Sequence, residues 1–335
     1  MGLMIRPGGK HRHENGRSGI NSLLVAQTPV AVIDLETTVL VAGVDRVVEV
    51  SIVRVEPGGT RQVVLDTLVN PQRHMAATEI HGITDDDVRD APRFRDIGGE
   101  VIDAIGDAVV AAYNVYFDIK FLDYELRRLG VRNAVPHFCL MYMRPMLGLG
   151  SRCKLEAACK AHDITYKSAH VAAEDARACG DLFWYYLSVL EQKGVRTFGE
   201  LASLRQYKFT QSFSNPVLSA TAFPGLRRSG KRLSRAGQAI VVLRDRGRLS
   251  LASYWDTLMA AVADLEITED EFETVKEERK RLNLPQEQVR MLHARIFANA
   301  ISQFTDDEWL DSAETQKLHR LHGCLSELGW APGEL

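Results

Sequence analysis

Val30-Ala31-Val32-Ile33-Asp34-Leu35-Glu36-Thr37-Thr38 is the stretch that decides how this chain of 335 residues is read. Four apolar residues lead into two acids, so the segment reads as a buried strand whose end carries Asp34 and Glu36. Residues two apart in a strand point to the same face. Two carboxylates on one face at the edge of an apolar core repel each other and are costly to desolvate unless a cation joins them. Hard divalent metals need oxygen ligands, and Mg²⁺ commonly takes one or two protein carboxylates while phosphate and water supply the rest.

Working outward, residues 114–118 link the apolar run 108–113 to an amphipathic segment at 119–129, which puts Asp118 at a helix start. Farther on, Ala172, Ala176, Cys179, Phe183, Tyr186 and Leu190 recur at the three- and four-residue steps of a helix, and Asp175 lies within it. His170 precedes that helix on the lead-in 167–169; its ordinary pKa of about 6.5 suits it to take a proton from water near neutral pH. Each element alone has an ordinary reading: solvated acids at a strand end, a helix N-cap at Asp118, a surface histidine, an exposed helix face. In this order, the four acids and the histidine describe a two-metal phosphodiesterase site, in which one ion generates hydroxide and the other stabilises the leaving oxygen.

The same segments resemble the DEDDh family of 3′ to 5′ exonucleases over residues 28–190, and are most similar to the proofreading epsilon subunit of bacterial DNA polymerase III and its stand-alone relatives. The matching residues are Asp34, Glu36, Thr37 and Thr38, then Asn114, Phe117 and Asp118, then His170 and Asp175, with His81-Gly82-Ile83-Thr84 matching a short segment between the first two motifs. The resemblance implies an α/β, ribonuclease H-like exonuclease fold, a mixed sheet flanked by helices with metals at its edge. It implies two divalent ions, Mg²⁺ or Mn²⁺, on Asp34, Glu36, Asp118 and Asp175, with His170 as general base. It also brings Thr37, Thr38, Asn114 and His81 toward the substrate, although the threonines and Asn114 equally suit turn chemistry and His81 suits the ordering of its loop. Glu49, in the apolar strand 47–55, either approaches the site or pairs with Arg46 or Arg54. One departure is Val39, where the family usually has glycine; a β-branched residue resists the φ > 0 backbone that glycine allows, so the loop beneath the terminal nucleotide is expected to be remodelled.

Composition frames the site. Hydrophobic residues make up 45% and charged residues 25%, ordinary for a soluble globular protein, and no apolar run approaches the ~20 residues that span a bilayer. Five cysteines, Cys139, Cys153, Cys159, Cys179 and Cys324, lack Cys-x-x-Cys spacing, which suggests reduced thiols in a cytoplasm. Residues 1–27 read as a disordered lead-in, 28–192 as the exonuclease domain, 193–250 as a basic linker and 251–335 as a small all-α domain. The net charge of −3 hides an asymmetry: residues 201–250 hold ten Lys and Arg against the single acid Asp245, whereas 251–335 hold 8 against 17 acids. In the basic block Arg205 and Lys208 alternate with Tyr207, Phe209 and Phe213, a pattern that suits phosphates and stacked bases of a single strand or, equally, a linker that pairs with the acidic end. Arg227, Arg228, Lys231, Arg232 and Arg235 follow.

The last region repeats itself at an offset of 43, residues 264–271 over 307–314, with Val275 over Leu318 and Leu282 over Leu325. Neither copy has a calcium-loop pattern. Thr268 with Glu271 and Asp311 with Glu314 instead read as capping boxes, and Met259, Val262 and Leu265 as bundle core. The region resembles the TerB-like helical domain of tellurite-resistance proteins, over residues 250–330. The chain is therefore expected to remove nucleotides from 3′ ends of nucleic acid, DNA favoured over RNA, with a protein partner recruited by the helical region. The alternatives are an RNA-trimming, oligoribonuclease-like enzyme with the same chemistry and a catalytically weak nucleic-acid-binding adaptor.

Overall fold

A computed structural model describes residues 19–166, 171–228, 246–263, 265–304 and 311–334. The apolar runs identified in the sequence form the centre of a five-stranded sheet. β1 (Val30–Thr37) pairs antiparallel with β2 (Val47–Val55), which pairs antiparallel with β3 (Arg61–Leu68). On its other side β1 runs parallel to β4 (Val109–Ala112), and β4 parallel to β5 (His137–Cys139), giving the order β3-β2-β1-β4-β5. β1 and β2 consist largely of β-branched residues that suit a pleated, packed surface, and Val30, Ala31 and Val32 are wholly buried. The β2–β3 hairpin turns at Gly59, whose φ is +82° and where a Cβ would come within 2.7 Å of the Trp184 ring; only glycine meets both demands.

Helices α1 (Thr78–His81), α2 (Asp85–Val88) and α3 (Phe94–Ile105) lie between β3 and β4, and α4 (Val115–Arg128) between β4 and β5. After β5 come α5 (Leu140–Met146), α6 (Leu155–Lys160), α7 (Ala172–Gln192) and α8 (Phe198–Leu204). This is the mixed sheet flanked by helices of the ribonuclease H-like fold. The register decides which acids meet. Gly180 of α7 packs against Val53 and Val55 of β2, and across the β1–β2 pair Val55 faces Val30, Val53 faces Val32, Ser51 faces Asp34 and Glu49 faces Glu36. With its period of two, β1 therefore turns Asp34 and Glu36 to the face that α7 covers, toward the start of that helix.

Two readings are corrected by the packing. Residues 19–27, expected to be part of a disordered lead-in, form two short 3₁₀ turns, with Ile20 and Val25 in the core and Leu24 bridged to Thr197; residues 1–18 lie outside the described residues. Residues 193–228, expected as the first part of a basic linker, extend the same core. Phe209 and Phe213 are wholly buried rather than exposed for stacking, because aromatic burial against Phe198 and Tyr116 outweighs exposure by a few kcal/mol per ring. Arg228 forks onto Asp103 of α3 at 2.7 Å and Arg227 reaches Asp96 at 3.2 Å, while Gly99 N–H donates to the Arg227 carbonyl. These two arginines dock their own segment. Lys231, Arg232 and Arg235 lie outside the described residues.

A second core is built by α9 (Arg246–Val262), α10 (Glu269–Leu282), α11 (Gln286–Phe304) and α12 (Ser312–Glu327). It includes Tyr254, Leu258, Val275, Leu292, Leu321 and Leu325. Both expected capping boxes form: Glu271 N–H donates to the Thr268 hydroxyl and Glu314 N–H to the Asp311 carboxylate, with the reciprocal bonds in place. No helix among the described residues is long and apolar enough to cross a membrane, and all five cysteines are free.

Candidate active site

β1, α4 and α7 converge at one end of the sheet. Asp34, Glu36 and Asp175 each present a carboxylate oxygen within 4.8 Å of the others. Asp118, in the first turn of α4 and 5% exposed, is fixed by the Leu35 N–H, which donates to its Oδ1 at 3.0 Å. The bond ties α4 to the backbone between the two β1 acids, so the second motif segment is registered on the first. Burial, followed by the like charges of Asp175, Asp118, Glu36 and Glu49, holds the Asp34 carboxyl well above the ordinary carboxylate range. Burial likewise pushes Asp118 up to about 8, against the opposing Leu35 hydrogen bond. So dense a set of desolvated carboxylates fits a hard divalent cation: all donors are oxygens, and a cation removes the repulsion that raises the pKa values.

The remaining candidates separate by geometry. Asn114 occupies the N-cap position of α4 yet makes no side-chain cap bond, and its Oδ1 is buried without a partner among the described residues while the side chain lines the cleft. The turn-fixing role is thus not what its side chain does. Thr37 lines the cleft with its hydroxyl donating to the Val39 carbonyl. Thr38 does not line it; its hydroxyl donates to Asp45 at 3.1 Å and accepts from Arg46 N–H at 3.1 Å, closing the loop 38–46. Val39 and Leu40 of that loop stand at the cleft wall. His81 accepts from Ile83 N–H at 3.0 Å through Nδ1 and orders the turn at Gly82, while its ring borders the cleft. His170 lies outside the described residues.

Glu49 takes the site-facing alternative. Arg46 is engaged by Glu125 at 2.6 Å and Arg54 by Glu56 at 2.9 Å, and the buried Glu49 adds its charge to Asp34. Sequence reasoning missed Tyr166, whose hydroxyl donates to Asp175 Oδ1 at 2.5 Å; nine residues before that acid, it carries no periodic signal. It also missed Trp255, Asp256, Met259 and Arg295 of the helical region, all of which line the same cleft.

A model of the exonuclease family matches residues 31–183. The chain is 32% identical over 156 residues to the epsilon subunit of DNA polymerase III of Treponema pallidum, covering 72% of that protein and 45% of this chain. It belongs to this exonuclease family. The DNA polymerase III epsilon-like protein of Rhodobacter capsulatus is 33% identical over 198 residues, 55% of this chain and 28% of the relative, and the PolC-type DNA polymerase III of Oceanobacillus iheyensis is 31% identical over 212 residues, 61% and 15%. The chain thus spans only a small part of the PolC-type relatives. Among solved structures it matches Escherichia coli exonuclease I in complex with a dA16 oligonucleotide, at 18% identity and a TM-score of 0.40, covering 55% of this chain and 42% of that one.

Proposed function

We propose that the protein is a DEDDh-type 3′ to 5′ exonuclease that hydrolyses single-stranded nucleic acid, DNA in preference to RNA, from its 3′ end. The observation that carries the reading is the convergence of Asp34, Glu36 and Asp175 within one ion's reach, with Asp118 pinned beside them. Asp34, Glu36, Asp118 and Asp175 would hold two divalent ions, Mg²⁺ or Mn²⁺. When bound, these ions supply charge neutralisation for the phosphate and a lowered pKa for water.

In this reading Asn114 Oδ1 and the Thr37 backbone position the terminal nucleotide. His81 closes the same wall, and Thr38 shapes it through the loop it ties. His170 accepts the proton of the attacking water. The water oxygen bonds to phosphorus, the bond from phosphorus to the 3′ oxygen breaks, and the products are a nucleoside 5′-monophosphate and a strand with a new 3′ hydroxyl. The tyrosine hydroxyl on Asp175 fixes that carboxylate's orientation. A cytoplasmic setting, a TerB-like character of the helical region and a protein partner recruited by that region belong to the same proposal.

Single-stranded DNA and RNA carrying a label at either end, digested with Mg²⁺, with Mn²⁺ and with chelator, test the reading. Metal-dependent release of mononucleotides from the 3′ label supports it. Release that begins at the 5′ label, or activity that survives both chelation and Asp34→Ala, overturns it.

A further inference from the structure

The four carboxylates form only one side of their cleft. The other side belongs to the helical region: Trp255, Asp256, Met259 and Ala260 of α9 and Arg295 of α11 line the same space as Asp34 and Asp175. The cleft opens to solvent and its cavity measures about 180 Å³.

The helical wall is seated by specific bonds. Arg152 and Glu271 form an ion pair with both side chains under a tenth exposed, and Arg152 also donates to the Tyr142 hydroxyl at 2.7 Å. Lys154 donates to Ser253 at 2.7 Å and to Glu278 at 3.2 Å. Arg295 reaches Glu79 and the Ala76 carbonyl, and Ile80 of α1 enters the second core. The three ties bracket the cleft, so the wall is held at a set distance from the acids.

The chemistry of that wall decides what it can take. Trp255 and Met259, each half-buried on one face of α9, are apolar, and Asp256 beside Trp255 adds negative charge. The flat face of a base stacks on an indole whatever its sequence. We infer that α9 supplies the base-binding wall of the active site, with Trp255 stacking on the base of the 3′-terminal nucleotide, so that the helical region selects an unpaired end. A paired end is excluded because its terminal base must leave the duplex stack to reach Trp255. This inference rests on the exonuclease reading of the carboxylates.

Wild-type hydrolysis of a small phosphodiester, bis(p-nitrophenyl) phosphate, with Mn²⁺ tests that underlying reading by itself; lack of hydrolysis defeats the reading. Given hydrolysis, Trp255→Ala is expected to raise KM for a single-stranded oligonucleotide by about 5- to 150-fold, the range of one base stack removed, with a smaller change in kcat. Trp255→Phe should recover most of the loss and Trp255→Leu little of it, a pattern that packing alone would not produce. A KM unchanged in Trp255→Ala overturns the inference. So does a gain in kcat/KM, which would make the helical region an inhibitory lid. Independent of folding in any variant, a 3′-terminal 5-iodouracil oligonucleotide bound to wild type in Ca²⁺ should photocross-link to a peptide within 246–262. Cross-links confined to residues 28–192 overturn the assignment.

Discussion

Asp34 sits among the like charges of Asp175, Asp118, Glu36 and Glu49, and its surroundings set a trade between stability and activity. In the metal-free protein both Asp34 and Asp118 are raised above the ordinary value of 3.8, Asp118 to about 8. A raised acid binds its proton more tightly in the folded chain, so the stability it contributes is present below pH 3.8 and is lost as pH rises toward 8. The melting temperature in chelator should therefore fall across that window. Asp34→Asn should abolish turnover yet melt higher than wild type at pH 8 without metal, by about 2–4 °C for each kcal/mol of relieved repulsion. Adding Mg²⁺ or Mn²⁺ at a hundred times its Kd should stabilise wild type by about 2.7 kcal/mol and Asp34→Asn by less. A variant that melts lower than wild type at pH 8 in chelator would contradict this account of the cluster.

At the scale of elements, the helical region offers two checks. His293 is wholly buried in α11; its Nδ1–H donates to the Trp330 carbonyl at 2.6 Å, which leaves Nε2 to accept from the Tyr254 hydroxyl at 2.8 Å. Burial holds its pKa below the ordinary 6.5. The neutral ring's contribution is present above pH 6.5 and is lost as pH falls through the lower, folded value. Hydrogen exchange should show amides of α9 and α11 losing protection between pH 7 and 5 while β1 keeps its own; uniform protection would sink the prediction. The α10 capping box is a purely local device. Thr268→Ala should cost about 1 kcal/mol, read as a lower urea midpoint with an unchanged slope.

At the scale of the whole molecule, the positive block between the two cores is partly used in intramolecular docking. Because Arg227 and Arg228 already pair with Asp96 and Asp103, replacing both with alanine should leave the salt dependence of oligonucleotide binding unchanged. Were the two arginines instead bound to phosphates of a single strand, removing each would take about 0.7 from the slope of log K against log salt. A slope that fell this way would return them to the nucleic-acid interface.

What the sequence by itself determined were the features written in local patterns. A β-branched run ending in two acids at a spacing of two is a strand that presents both to one face, whatever follows it. A threonine or aspartate three residues before a glutamate caps its helix, and the 43-residue offset carried that device to both α10 and α12. Tertiary structure alone decided the rest, since the deciding partners lie far away along the chain. Phe209 and Phe213 beside basic residues read the same exposed or buried, and they were buried by a segment whose Ser212 bonds His137, 75 residues back. Asn114 reads as a cap from its position alone; only the structure shows that its side chain makes no cap bond among the described residues. Nothing local to Trp255 distinguishes a core aromatic from the wall of an active site. That distinction came from ties between distant segments, the buried pair of Arg152 with Glu271 foremost among them, which bring a helix encoded far beyond the first motif to lie over the carboxylates.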